Sequence, residues 1–474
     1  MKRFAETIQS ASRFIASPCW AVFASWMLIA SVVAQQDIPD ELKASLGQIN
    51  ERSVMSTVSF LASDEMAGRD TPSREFDIAC AYVASRFRGA GLQGGGDQGS
   101  FYQVSEIATV QLPTTGLSVR VGDQSVDSFG MLAGESESAS ISGDLTVVDW
   151  ADNATPQLAG PVYLPMDNFD RRRDMFNLVR KTLQLKRSGA TAILLGVSEN
   201  HPLVTEARLR QSERLVSTRG DFAGPTLLIP KLTAEQLKQP IRLEVPGVRG
   251  GKSKVRNVIG VLPGSDPTLA AQAVIFSAHL DHIGQSSDGI FNGADDNASG
   301  VTAVLTLADA YASLPTRPKR TTIFMTFWGE ERGLLGSRYY VSRPTWPLEK
   351  VVANINIEMI GRPEAGAREK VWMTGWQHSN LGELMDRGSS QVGVTTFEHL
   401  QYSQQLYRAS DNYSFVEKGL IAHSFSAGSL HGDYHQVTDV WERLDIPHAT
   451  RVVEGLFMGS LPIANGELTP EIKK

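Results

Sequence analysis

The stretch Ala273-Val-Ile-Phe-Ser-Ala-His-Leu-Asp-His282 decides the fold, because a short apolar run leads directly into two histidines and an aspartate. Two later apolar runs end in a similar way: Thr321–Trp328 precedes Gly329-Glu-Glu331, and Val351–Ile357 precedes Glu358. Apolar runs of this length, bounded by polar residues, are typical of buried strands. The carboxyl ends of parallel strands lie at one edge of a sheet, where α/β folds bind their ligands. We therefore expect these histidines and carboxylates to meet at that edge.

Two further segments carry side chains of the kind that bind metals. Asn292–Gly300 contains Asp295 and Asp296, and Asp433-Tyr-His435 lies in a predicted loop near the C-terminus. Taken singly, each group has an ordinary explanation: a polar residue after a strand, a surface acid pair, or a helix cap. Taken together, so many buried carboxylates need a cation, because burying their charge alone is very costly. Two histidines with several carboxylates describe a zinc site with hydrolytic potential.

The order of predicted elements indicates an α/β fold with an insertion. In the C-terminal half, strands alternate with helices such as Asn297–Leu314, which predicts a three-layer sandwich around a mixed, largely parallel central sheet. Residues 110–250 contain short alternating runs and predict an inserted β-rich domain. The glycine-rich stretch 247–253 is interpreted as a linker. The α/β domain is then expected to comprise residues 38–109 and 254–466.

Residues 1–34 have the features of a targeting segment. Basic residues precede the apolar stretch Phe14–Ala34, which ends in small residues before Gln35. This order is typical of a cleaved secretory signal peptide. The stretch also approaches the roughly 20 residues that span a bilayer, so a signal anchor remains the alternative. We expect the protein to be secreted or periplasmic, and attached to a membrane only if the segment is not cleaved.

The charge and the cysteine content of the chain exclude few classes of function. A formal net charge of −7 gives no support for nucleic-acid binding, which usually requires a basic face, so no nucleic-acid partner is expected. The chain has two cysteines, and Cys19 lies in the targeting segment. The remaining Cys80 has no partner for an internal disulfide and is predicted to be a small buried core residue.

From Phe60 to His435 the chain resembles the M28 family of zinc aminopeptidases. The matching motifs are Phe60-Leu-Ala-Ser-Asp-Glu-Met-Ala-Gly-Arg-Asp70, Ala278-His-Leu-Asp-His282, Gly293-Ala-Asp-Asp-Asn-Ala-Ser-Gly300, Trp328-Gly-Glu-Glu331, Asn356-Ile-Glu-Met-Ile-Gly361, Ser410-Asp-Asn412 and Tyr434-His435. The likeness covers most of residues 40–465, and the insertion resembles a protease-associated domain around residues 173–196. The resemblance implies a zinc-dependent exopeptidase that hydrolyses peptide bonds and removes N-terminal amino acids from peptides or small aminoacyl substrates.

The resemblance also implies a set of metal ligands. Two Zn²⁺ ions would be bridged by Asp296, with His279 and Glu358 on one ion and Glu331 and His435 on the other. Most family members have an aspartate where this chain has Glu358. The extra methylene is compatible with zinc–carboxylate bonding but shifts either the metal or the backbone, and it leaves room for a metal other than zinc.

The remaining implied roles concern proton transfer and positioning. Glu330 would be the general base that acts on a metal-bridged water and then delivers the proton to the leaving amine. Asp281 would orient the His279 ring without binding the metal. Tyr434 is a candidate substrate-binding residue that could stabilise the oxyanion of the tetrahedral intermediate.

Two other functions remain open at this point. A glutaminyl cyclase has the same fold with one zinc, but an intact Gly293–Gly300 motif with Glu330 and Glu331 favours hydrolysis. A receptor that has lost catalysis shares the architecture as well. All five implied ligand positions are acidic or histidine here, which argues against that alternative.

Overall fold

The computed structural model describes most of the chain beyond the predicted targeting segment. The described residues are 38–149, 157–167, 169, 171–209, 214–215, 223–286 and 288–473. The predicted signal peptide or anchor, residues 1–34, lies outside them. Among the described residues, no helix has both the length and the hydropathy needed to cross a bilayer.

The described elements are eleven α-helices and twenty-one strands, with short 3₁₀ and π turns between them. The helices are α1 (Asp40–Leu46), α2 (Glu51–Leu61), α3 (Arg74–Gly89), α4 (Arg171–Arg187), α5 (Pro202–Leu209), α6 (Gly300–Ala312), α7 (Leu335–Ser342), α8 (Leu381–Ser389), α9 (Tyr402–Gln405), α10 (Asn412–Val416) and α11 (Ile446–Ala464). The strands are β1 (Gln93–Gly94), β2 (Tyr102–Gln111), β3 (Ser118–Val121), β4 (Gln124–Val126), β5 (Gly130–Ala133), β6 (Ala139–Gly143), β7 (Thr146–Val147), β8 (Val162–Pro165), β9 (Ile193–Val197), β10 (Arg214–Leu215), β11 (Thr226–Pro230), β12 (Ile241–Val245), β13 (Arg249–Leu262), β14 (Ala273–His279), β15 (Gly284–Ser286), β16 (Gly289–Phe291), β17 (Thr321–Phe327), β18 (Val351–Ile357), β19 (Lys370–Met373), β20 (Thr395–Phe397) and β21 (Ala422–Ser426).

One ten-stranded sheet organises the molecule, in the order β10-β2-β13-β17-β14-β18-β21-β19-β20 with β1 on β13. The neighbours β17, β14, β18 and β21 run parallel, whereas β13, β2 and β10 extend the sheet with antiparallel pairs. The predicted mixed sheet is therefore confirmed, with parallel strands at its centre. Because β14, β17 and β18 are parallel neighbours, the residues that follow them lie at the same edge.

Both faces of this sheet are covered, as the continuous apolar runs of its central strands require. In β14, Val274 and Phe276 belong to a core that also contains residues of α2, α3, α6 and α11. Ala273 and Ile275 belong to the opposite core, together with Tyr340 of α7 and residues of α10. The alternation places successive side chains on opposite faces. This is the predicted three-layer sandwich, and Cys80 is buried in its core as expected.

The segment between β2 and β13 builds two smaller sheets. One has the strand order β5-β11-β9-β8-β7 and the other β4-β3-β12-β6. One hydrophobic cluster packs Leu178 and Leu185 of α4 against the first sheet, and a second cluster contains residues of both sheets. β10, however, pairs with β2 and so extends the central sheet. The division of the chain at residues 110 and 250 stays a prediction.

The predicted linker at residues 247–253 is wrong for most of its length. Residues from Arg249 onward belong to β13, which pairs with β2 from Arg249↔Gln111 to Val258↔Tyr102. Glycine and lysine have weak strand propensity, but a long ladder with an existing partner strand satisfies the backbone groups and overrides that preference. Local composition alone does not reveal the partner.

Candidate metal centre

Three neighbouring strands bring the predicted side chains to one edge of the central sheet. His279 is the last residue of β14, Glu330 and Glu331 follow the end of β17, and Glu358 directly follows β18. Asp296 arrives from the turn before α6, and only 4% of its surface is exposed. These side chains therefore lie at the carboxyl ends of the parallel strands, where the sequence analysis expected them.

The first group of side chains surrounds the Nε2 atom of His279. This nitrogen lies 3.2 Å from Asp296 Oδ1 and 3.2 Å from Glu358 Oε2. The other ring nitrogen, Nδ1, lies 3.0 Å from the backbone oxygen of Asp281. Because that oxygen only accepts hydrogen bonds, Nδ1 carries the proton and Nε2 is free to bind a metal as a neutral imidazole nitrogen.

The second group uses the other oxygen of the same aspartate. His435 Nε2 lies 3.1 Å from Asp296 Oδ2 and 3.3 Å from Glu331 Oε2. Asp296 thus presents one carboxylate oxygen to each histidine, which is the placement that a bridging ligand needs. In a tetrahedral site with zinc–ligand bonds of about 2.0–2.1 Å, the ligand atoms are about 3.3 Å apart. The distances in both groups agree with such a site.

His282 is a functional candidate to which the sequence analysis assigned no specific role. It is fully buried, with Nδ1 2.8 Å from Glu331 Oε1 and 3.8 Å from Asp296 Oδ2. Its ligand-type atoms and those of Asp296 and Glu331 lie within 4.8 Å of one another, so it could complete a metal site. Asp296 Oδ2 lies 3.1 Å from His435 and 3.8 Å from His282, so we favour His435 as the ligand.

Glu358 is held by three neutral donors. Ser410 Oγ donates to its Oε1 over 2.6 Å and Asn356 Nδ2 over 2.8 Å, while Asn297 Nδ2 donates to its Oε2 over 2.6 Å. These donors stand in motifs that carried the family resemblance, but the sequence analysis assigned them no role in the site. They fix the longer glutamate side chain with one oxygen facing His279, so the extra methylene does not remove the carboxylate from the group.

Asp281 contacts the segment that carries Glu330. Its Oδ1 accepts the backbone N–H of Glu330 over 3.1 Å, whereas its carboxylate lies 4.0 Å from His279 Nδ1. The predicted orientation of the His279 ring is therefore made by the backbone oxygen of Asp281, because the carboxylate is engaged by the neighbouring loop. Burial raises the pKa of Asp281 to about 7.

The carboxylates of the two groups differ in their electrostatic surroundings. Although burial alone would raise it, the close His279 and His435 rings hold the pKa of Asp296 well below its usual range. Burial and Asp296 also act to raise the pKa of Glu331, but hydrogen bonds from its histidine neighbours leave it at about 2. Glu330 has no such partner, so burial, together with the nearby Glu331 carboxylate, raises its pKa well above the usual value. Two carboxylates are thus stabilised as anions, and one is suited to carry a proton.

A pocket of about 100 Å³ opens beside these residues. Its wall combines His279, Glu330 and Glu358 with apolar side chains; the apolar members are Met359, Trp372, Leu406, Leu430 and Tyr434. The Tyr434 ring stacks on His435 with 3.9 Å between ring centroids, and burial raises the pKa of its hydroxyl. None of the described residues that line the pocket is lysine or arginine.

Comparisons with known proteins identify similar chains. Residues 257–458 match the model of peptidase family M28. The chain is 35% identical over 111 residues to leupeptin-inactivating enzyme 1 of Streptomyces exfoliatus, covering 23% of this chain and 24% of that protein. It is 28% identical over 238 residues to a probable leucine aminopeptidase of Trichophyton verrucosum, covering 46% of this chain and 61% of that protein. The matched regions thus span less than two thirds of these relatives.

The overall fold also has solved counterparts. BSAP, a zinc aminopeptidase from Bacillus subtilis, superimposes with a TM-score of 0.59 at 16% sequence identity. The superposition covers 90% of this chain and 96% of that one, so it includes the smaller sheets as well as the central one. At this identity the likeness shows a shared fold.

Proposed function

We propose that the chain is a zinc-dependent exopeptidase that removes N-terminal amino acids from peptides, since residues 257–458 match the model of peptidase family M28. The observation that carries the proposal is the position of Asp296, whose two oxygens face two separate histidine–carboxylate groups. A pocket lined by Glu330 lies directly beside them. An arrangement of this kind serves hydrolysis of a peptide bond.

The donor atoms fit two zinc ions. His279, Asp296 and Glu358 would hold one ion, and Asp296, Glu331 and His435 the other. Each set offers one imidazole nitrogen and two carboxylates, which are ordinary ligands of catalytic zinc. When bound, zinc supplies Lewis-acid polarisation of the scissile carbonyl and makes a water molecule more acidic. The negative charge that the buried carboxylates concentrate here is what such cations would balance.

The chain's own residues supply the proton transfers and the contacts with the substrate. Glu330 accepts a proton from the attacking water and delivers it to the nitrogen of the leaving amine. Its raised pKa suits both steps, and the hydrogen bond from its backbone to Asp281 fixes the segment. Tyr434 borders the pocket from the side of His435 and is our candidate for a contact with the substrate oxygen.

The charges around the pocket support attack at the amino end of a peptide. A free α-ammonium group is stabilised by nearby carboxylates, and Glu330 and Glu358 both line the pocket. A carboxypeptidase would need a cation for the substrate carboxylate, and the described lining residues include no lysine or arginine. We therefore place aminopeptidase activity ahead of carboxypeptidase or dipeptidase activity.

A panel of substrates tests this proposal directly. Aminoacyl amides, peptides with a blocked amino terminus, dipeptides and a peptide that begins with glutamine are incubated with the protein, with and without chelator. We expect hydrolysis of the unblocked substrates only, loss of activity with chelator, and recovery when zinc is added. Cyclisation of the glutamine peptide without cleavage would instead establish a glutaminyl cyclase. Cleavage of blocked peptides from the carboxyl end would overturn the choice of terminus.

We also propose that the protein is exported. The support is the order of basic, apolar and small residues in the segment that ends at Ala34. The amino-terminal sequence of the protein recovered outside the cytoplasm should begin at or close to Gln35. Recovery of the full-length chain in a membrane fraction would show instead that the segment is retained as an anchor.

A further inference from the structure

A turn with unusual backbone angles contacts the loops that carry the proposed metal ligands. Three consecutive residues of this turn have positive φ angles: Ala67 (41°), Gly68 (70°) and Arg69 (49°). Two of them are not glycine, and such residues adopt this conformation only where the surroundings impose it. A Cβ atom on Gly68 would lie 2.3 Å from Gly284 O and 2.4 Å from Phe291 O. The turn is thus in close contact with the hairpin of β15 and β16.

The turn points the Arg69 side chain into the protein, where only 1% of the residue is exposed. Its Nε donates to Leu280 O over 3.0 Å, and its Nη2 donates to Gly293 O over 3.0 Å. Its Nη1 donates to Asn292 O over 2.8 Å and also to Leu61 O. Burial lowers the pKa of Arg69, and nearby carboxylates offset only part of this effect, so the resulting pKa is about 10. The guanidinium therefore stays charged at neutral pH.

The carbonyl groups that Arg69 contacts belong to two loops of the candidate metal centre. Leu280 lies between His279 and Asp281, and Gly293 begins the turn that carries Asp296. The backbone of Arg69 makes another contact, since its carbonyl oxygen accepts the N–H of His282 over 3.3 Å. One buried cation therefore connects the loop after β14 to the loop before α6.

The next residue reaches a third loop. Both carboxylate oxygens of Asp70 accept from Arg332 Nη2, over 2.7 and 2.8 Å. Arg332 directly follows Glu331, which belongs to the second group of ligands. The Arg69–Asp70 pair thus contacts all three segments that hold His279, Asp296 and Glu331, although neither residue is among the ligands.

We propose that Arg69 and Asp70 are positioning residues that set the metal affinity of the centre by fixing these three loops relative to one another. The inference rests on the proposed metal centre. A guanidinium presents donors in a rigid fork and can reach several carbonyl oxygens at once, whereas a lysine ammonium is a single flexible point charge. Replacing Arg69 by lysine keeps the charge and removes the connection between the loops.

The test compares Arg69→Lys with a matched control, Arg320→Lys. Arg320 is also a buried arginine whose guanidinium donates to backbone carbonyls, those of Ile463 and Leu468, and it precedes β17 at the opposite end of that strand from Glu330. Full-length protein is freed of metal with chelator. The zinc dissociation constants, the absorption spectrum of the cobalt(II)-loaded protein, and thermal unfolding of the metal-free protein are then measured for each variant.

We expect Arg69→Lys to weaken zinc binding by about 10–100-fold, the usual effect of losing a residue that orients ligands. Its cobalt spectrum should change as well, because ligand geometry changes. Arg320→Lys should lower the unfolding temperature without changing either metal readout. Wild-type affinity and spectrum in Arg69→Lys, or equal loss of affinity in both variants, would overturn the inference.

A second variant keeps the test decisive if Arg69→Lys does not fold. Asp70→Asn removes one charge from the pair with Arg332, and it should weaken zinc binding in the same direction by a smaller factor. An unchanged zinc affinity in that variant would count against the inference. A wild-type protein that binds no metal would instead remove the proposed function itself, so the two failures are distinguishable.

Discussion

Asp295 and Asp296 are adjacent in the chain, yet their carboxylates face different partners. Asp295 Oδ1 accepts the N–H of Gly361 over 2.7 Å, and its Oδ2 lies 3.0 Å from His431 Nε2. Both oxygens of Asp296 face the histidines of the two ligand groups. The first aspartate therefore holds the loops around the centre, and the second is available to a metal. The sequence alone suggested only a helix cap for Asp295.

The two aspartates should respond differently to conversion into asparagine. Asp296→Asn removes the anionic oxygen that bridging requires, so we expect metal content to fall to less than half of the wild-type value. Asp295→Asn keeps an oxygen that accepts from Gly361, and its metal content should stay near wild type. Metal per chain after dialysis, measured by mass spectrometry, distinguishes them. Loss in Asp295→Asn alone would mean that the roles in this motif are assigned one residue out of place.

Glu330→Gln tests the general base separately from metal binding. The change removes the proton acceptor but none of the proposed ligands, so both metals should remain. Turnover should fall by about 10²–10⁴-fold, which is the usual contribution of general base catalysis. Steady-state kinetics and metal analysis on the same sample provide both readouts. Activity within tenfold of wild type would exclude Glu330 as the base.

The candidate metal centre was predictable for those side chains that stand directly after a strand. Glu330, Glu331 and Glu358 stand just after apolar strands, and this spacing is visible in the sequence. His282 received no specific role, and Arg69 none at all, because their roles depend on contacts that no local pattern encodes. Arg69 contacts Leu280 and Gly293 across separations of 211 and 224 residues. Only the folded chain brings these groups together.

At the scale of elements, β21 contains a histidine that the fold keeps neutral. His423 is 1% exposed, and its two ring nitrogens lie 2.7 Å from Ser379 Oγ and 2.7 Å from Thr374 O. Burial lowers the pKa of His423 to about 4. The unfolded chain protonates this ring near pH 6.5, whereas the folded chain does so only about 2.5 units lower.

This difference makes stability depend on pH in a defined window. Because the folded pKa is depressed, the contribution of His423 is complete above pH 6.5 and is lost as the pH falls towards 4. At pH 5 the free energy of unfolding should be about 2 kcal/mol lower than it is above pH 6.5. We expect His423→Gln to reduce stability at pH 7 but to show a correspondingly smaller loss between pH 7 and pH 5. Urea unfolding in the presence of chelator measures the free energy of unfolding of wild type and His423→Gln at both pH values. An identical loss between pH 7 and pH 5 in the two proteins would contradict the role of His423.

Strands were predictable from the sequence where burial requires apolar residues. They were less predictable where pairing with a neighbouring strand holds the segment in place. β14, β17 and β18 are buried on both faces, and their continuous apolar runs predicted them. The polar start of β13 gave no such signal, and its pairing with β2 turned a predicted linker into a strand. A ladder of backbone hydrogen bonds stabilises almost any side chain at an exposed strand position, so composition says little there.

At the scale of the whole molecule, none of the described residues of the smaller sheets belongs to the two proposed ligand groups. Every described member of the two ligand groups lies between residues 279 and 435. His201 of the intervening region accepts the N–H of Leu203 over 3.2 Å and packs against Phe169. α5 lies against β15, in the hairpin that follows His282. This contact connects the smaller sheets to the segment that follows the first proposed ligand of the chain.

The ends of that region are close enough to be joined. Gln111 of β2 and Arg249 of β13 are directly paired in an antiparallel ladder. A two-residue Asn-Gly turn is the favoured connection for such a hairpin. Replacing residues 112–248 with Asn-Gly should therefore preserve the register of the central sheet. It also removes β10, which leaves β2 as an exposed edge strand and lowers solubility.

This shortened protein should keep the metal centre and change its substrate range. We expect the wild-type content of zinc and hydrolysis of aminoacyl amides within about tenfold of wild type, since no proposed ligand is lost. Rates on longer peptides should change more than rates on amides, because the removed region packs through α5 against β15, in the hairpin that follows His282. Circular dichroism and thermal unfolding establish that the core has folded. A folded core that has lost a metal would show that residues 112–248 supply a ligand, and unchanged selectivity would show that they do not restrict access.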